Sequence, residues 1–167
     1  MPAHSSRQPA RALVNPNDIQ PGEIVWLDSK HLTPTRGAGV HTWPHSAICL
    51  YHYYQNSALP ELIVTGTVFQ FVCISSITRN NPLDLSRQIR LDHHEPNTGL
   101  TQPSAACVDF APNVVVTVEG QRHVLEGVRR LTIPVVRRIS TADLRAVLKL
   151  FNEYWSAKAK QRRPNQP

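Results

Sequence analysis

The chain has 167 residues, the size of one domain, and its 41% apolar content is enough for one core. A formal net charge of +6 and a pI of about 9.7 favour polyanions as partners, nucleic acid first. From the odd count of three cysteines, the lack of an apolar leader and the absence of any run near the ~20 residues that span a bilayer, no disulfide framework, secretory signal or membrane helix is expected.

Residues 1–20 are rich in Pro, Ser, Asn and Arg and hold no lasting period, so they read as a flexible tail. Pro21 and Gly22 signal a turn, and residues 23–28 form a short apolar strand. Residues 29–44 contain two Pro and two Gly and read as a long loop. It carries Lys30, His31, Arg36 and His41, all able to meet an anion. Residues 46–54 alternate as a second strand. Ala47, Cys49, Tyr51 and Tyr53 fall on one face, and Ile48, Leu50, His52 and Tyr54 on the other. His52, set among apolar side chains, reads as a hydrogen-bonded core histidine. A further short strand is expected at 62–65.

Residues 68–78 are the centre of the chain. The run starts almost continuously apolar, with β-branched and aromatic residues, as a strand buried on both faces does. It ends in Ser75, Ser76 and Thr78, then Arg79 and the turn residues Asn80, Asn81 and Pro82. Hydroxyls and a guanidinium at the mouth of a core strand can meet a phosphate; the same residues also serve to end a strand and start a turn.

Residues 87–91 alternate as an edge strand, and 92–99 form a polar loop with His93, His94 and Glu95. No third ligand stands at a familiar spacing, so these histidines are read as phosphate contacts or solvated groups, and no metal is expected. Residues 104–110 and 113–118 are two more strands. Glu119-Gly120 marks a tight turn, with residues 122–125 as its hairpin partner. Residues 127–133 extend that strand or begin another.

Ser140 and Thr141 offer a helix cap, with Asp143 in the capping-box position. Leu144, Val147, Leu148, Phe151, Tyr154 and Trp155 then recur at helical spacing as one apolar stripe, which is core rather than a cofactor box. Lys158, Lys160, Arg162 and Arg163 follow as a basic tail over residues 158–167. The whole predicts a mainly β fold with a C-terminal α-helix, a small curved antiparallel sheet or barrel closed at one end by that helix. No Gly-rich phosphate loop, GxSxG elbow, HExxH pair or internal repeat occurs, and no cofactor is expected. The cysteines read as buried free thiols of a cytoplasmic protein.

Four segments in order resemble the MazF/PemK family of ribonuclease toxins: residues 21–28, 45–50, 72–76 and 98–110. The resemblance spans roughly residues 21–155, within a single domain at 21–157. It implies an SH3-like barrel that forms a homodimer and cuts single-stranded RNA without metal, its groove blocked by the acidic extended tail of an antitoxin. The family's active-site Arg falls on His45, and its Thr falls on Ser75, with Ser76 a one-residue alternative. The loop at 37–40 lacks the Glu that the family carries there. The resemblance therefore implies His45 as acid or base and Ser75 or Ser76 as phosphate donor, with Arg79 or Arg36 supplying charge. His41, Thr78, His93 and His94 would add RNA contacts. The alternative is a toxin-like barrel without catalysis that binds nucleic acid or an acidic partner peptide.

Overall fold

The computed structural model describes residues 15–32, 45–55, 66–130 and 136–162. Their elements run β1 (Ile24–Leu27), β2 (His45–Gln55), β3 (Gly66–Ser76), β4 (Gln88–Leu91), β5 (Ser104–Cys107), β6 (Asn113–Val115), β7 (Thr117–Glu119), β8 (Arg122–Val124), β9 (Val128–Arg130) and α1 (Thr141–Gln161). The fold is mainly β with one C-terminal helix, as the sequence predicts. The strand expected at 62–65 lies outside the described residues.

β3 is buried from Val68 through Ile74. Its side chains alternate between two cores. Phe69, Phe71 and Cys73 pack with Val25, Leu27 and Ala47, while Val72 and Ile74 pack with Ile24, Ile48 and Leu91. The main sheet is antiparallel in the order β4-β5-β3-β2-β1-β9, and β6 pairs with β3 off this path. One edge of β3 is shared: β6 takes Val68 to Gln70, and β5 takes Cys73 to Ser76. Between them the chain stays bonded, with Phe71 N–H donating to the Pro112 carbonyl and Cys73 N–H to that of Phe110. The outer strands β4 and β9 do not pair with each other, so the sheet is open and the closed barrel is not formed. β7 and β8 make a separate hairpin, and β9 is a new strand on β1.

The helix covers a face of this sheet instead of plugging one end. All six residues of its apolar stripe lie against the Ile24, Ile48 and Val72 side. A stripe this long needs every second residue of several strands as its floor, and only a sheet face supplies that. Ser140 caps the helix by accepting from Asp143 N–H at 3.1 Å. The Asp143 carboxylate accepts from Asp92 N–H, tying the helix start to the end of β4. Two boundaries shift. Ile19 is buried in the first core, so the fold already includes residues 15–20, and α1 runs on to Gln161.

β2 departs from simple alternation. Cys49 pairs with Phe71, but Tyr51 pairs with Gln70, which leaves Leu50 as the extra residue of a β-bulge. Leu50 and Tyr51 both join the helix side, so every later residue changes face. His52 moves to the opposite core face, where its ring sits 5.2 Å from that of Phe69. It is exposed and makes no hydrogen bond among the described residues, so it is not the core histidine that alternation predicts.

One carboxylate is fully buried. Glu23, at 0% exposure, accepts from Arg130 Nε at 2.7 Å and Nη2 at 3.3 Å, and from Gln20 N–H at 3.2 Å. Those bonds join β9 and the N-terminal segment to the entry of β1, and they hold the Arg130 guanidinium above its usual range. Removing one partner of a buried pair strands the other. We expect Arg130→Ala to lower unfolding stability in urea by about 3 kcal/mol. Ser140→Ala, which removes only the helix cap, is expected to cost about 1 kcal/mol in the same measurement.

Candidate active site

Antiparallel pairing brings several strand ends to one side of the sheet. Leu27 of β1 is opposite His45 of β2. Ala47 is opposite Cys73, and two residues outward from that pair lie His45 on β2 and Ser75 on β3. The count places both residues at the same end of neighbouring strands. Alternation gives them the same face as Ala47 and Cys73. The contacts agree: His45 packs edge-on against Phe110 at 5.7 Å, and Phe110 lies on that core. Ser75 and Ser76 are thereby separated. Ser76 points to the helix side, where its hydroxyl accepts from Gln102 Nε2 at 2.6 Å.

Two groups hold Ser75. Asn81 Nδ2 donates to its hydroxyl oxygen at 3.2 Å, and the Cys107 sulfur lies 3.5 Å from that oxygen. A serine hydroxyl has two acceptor positions and one proton to give. Asn81 fills one acceptor position, and the hydroxyl keeps its proton to give. Asn81 also donates to the Ser76 carbonyl at 2.8 Å, and its N–H donates to Thr78 Oγ1 at 3.1 Å. These bonds close a tight turn over residues 78–81 and present Arg79 at its exposed tip, with no ion pair among the described residues. Asn81 looks like a plain turn former in the sequence. Its hold on Ser75 arises only once the turn folds back on the strand.

The other expected contacts divide. Arg36 and His41 lie outside the described residues. Lys30 and His31 turn inward onto one residue. Lys30 Nζ is 2.6 Å from Glu126 Oε1, and His31 Nε2 is 2.6 Å from the Glu126 carbonyl. Gly127, next to Glu126, sits at φ +73, and a Cβ there would come within 2.6 Å of His31 Nε2. That loop start is therefore packed structure and not a free anion site. His93 and His94 follow β4, whose end lies beside Ser104 of β5. Their rings are 4.0 Å apart, and His94 N–H donates to Asp92 Oδ1. They share the strand-end side with His45 but lie three strands across, about 14 Å at ~4.8 Å per strand. Among the described residues no three His, Cys, Asp or Glu side chains converge to hold a metal, and no helix is long and apolar enough to cross a membrane.

The arrangement joins an imidazole, an oriented hydroxyl and a turn carrying a guanidinium. Those groups can move a proton and stabilise negative charge. No protein-family model matches this chain, and no curated protein matches it at a significant level.

The three cysteines are buried and free. Burial pushes the Cys49 thiol up to about 12 and raises those of Cys73 and Cys107. Cys107 therefore stands beside Ser75 as a neutral thiol. At neutral pH, Cys49 holds on the order of a thousandfold less thiolate than a free cysteine. We expect a thiol-specific reagent to label none of the three in the native protein and all three in urea. Rapid labelling of any one without denaturant would contradict this burial.

Proposed function

We propose that the protein is a metal-independent endoribonuclease of the MazF/PemK kind, cutting single-stranded RNA through attack of the 2′-hydroxyl on the adjacent phosphate. The 2′ oxygen bonds to phosphorus, the bond to the 5′ oxygen breaks, and a cyclic phosphate and a free 5′-hydroxyl result. His45 takes or returns the proton, since imidazole titrates near working pH. Ser75 donates its hydroxyl proton to the phosphate, and Arg79 adds charge beside it. One observation carries this reading. His45 and Ser75 reach the same end and the same face of adjacent strands, and Asn81 Nδ2 donates to the Ser75 hydroxyl oxygen. In the same reading two copies of the chain line a groove for RNA, and the acidic extended tail of an antitoxin competes for it.

A second reading is a barrel-like module that binds nucleic acid or an acidic peptide without cutting. It is favoured by the shortage of free fixed charge at this strand end. Arg129, a neighbouring guanidinium, is engaged by Asp28 at 3.3 Å, and His45 stands where the family carries a permanent cation. Incubation with mixed-sequence single-stranded RNA in EDTA separates the two. Cleavage is expected at a recurring short sequence. His45→Ala should slow it at least about tenfold and Ser75→Ala about a hundredfold. Binding that weakens steeply with salt and yields no fragments would establish the module instead.

A further inference from the structure

A second recess lies at the other end of the β2–β3 pair, away from His45 and Ser75. It is an open cavity of about 750 Å³ between the main sheet and the β7–β8 hairpin. That volume is in the range of small-molecule sites. Phe69 and Val116 form an apolar floor, and His52, Asn17, Arg122 and His123 stand around it. The β-bulge at Leu50 creates the site. Without that extra residue His52 would face the helix, whereas here it pairs with Phe69 and lays its ring near the phenyl at an interplanar angle of 31°. Arg122 and His123 come from the hairpin, whose two-residue turn begins at Gly120 with φ 62. Neither makes a hydrogen bond or ion pair among the described residues. None of the described residues that line the recess is Asp or Glu.

The geometry points to a binding site for a nucleotide, a flat ring joined to a phosphate. The exposed His52 ring, backed by the buried Phe69, offers an aromatic face for stacking a base. The Asn17 side-chain amide can both donate to and accept from a base edge. Arg122 and His123 supply the phosphate contacts, for which a guanidinium offers a two-pronged match. The nucleotide can be free or one unit of a single strand, since both present the same ring and phosphate. This site is independent of the proposed cleavage, because none of its residues belongs to the His45–Ser75 end.

The test is calorimetric titration of the full chain with uridine or adenosine monophosphate, the matching nucleoside, inorganic phosphate, and a short 2′-O-methylated oligonucleotide that cannot be cut. The nucleotide is expected to bind more tightly than either of its halves. Arg122→Ala combined with His123→Ala should weaken it at least about tenfold, while His45→Ala leaves it unchanged. Both hairpin residues are exposed, so an unchanged circular dichroism spectrum is expected for that variant. Binding of the oligonucleotide alone, still weakened by the hairpin variant, assigns the site to a nucleotide within a strand. The proposal is overturned if no probe responds to the hairpin variant, or if phosphate binds as tightly as the nucleotide.

Discussion

A strand with apolar side chains on both faces needs cover above, below and along both edges. β3 meets that demand in every direction, and the rest of the fold follows from it. Its first core face is closed by β1, the N-terminal segment and Val114 with Val116. Its second is closed by α1. One edge goes to β2, and the other is split between β5 and β6. Splitting an edge between two strands requires the chain to turn over residues 108–112, and the carbonyls of Phe110 and Pro112 remain bonded to β3 through that turn. Backbone satisfaction inside a dry core, and not strand count, thus sets where the sheet bends.

The same demand produces two distinct ends. At one, β3 leaves the core through Ser75 and Ser76, whose hydroxyls and carbonyls are gathered by Asn81, Cys107 and Gln102. At the other, the bulge in β2 rotates His52 off the helix side and onto Phe69. A single extra residue thereby converts a side chain expected in the core into part of an open recess. The buried Glu23–Arg130 pair lies beyond both, at the β1–β9 edge of the sheet, and joins β9 to the entry of β1. An unpartnered carboxylate in that buried position would be left without solvation, so the pair holds β9 to β1.

Length, periodicity and local chemistry in the sequence determined the class of the fold, the central strand, the edge strand at 88–91, the β7–β8 hairpin and the capped terminal helix. These are consequences of short-range pattern: apolar runs, alternation by two, recurrence near 3.6, and a Ser three residues before an Asp. Tertiary structure alone decided that the sheet stays open, that the helix lies across a face, and that Lys30 and His31 are taken up by Glu126. It also decided which of Ser75 and Ser76 shares a face with His45, and where His52 points. Each depends on register between segments distant in the chain, and a one-residue slip in register or a bulge reverses the face of every side chain beyond it.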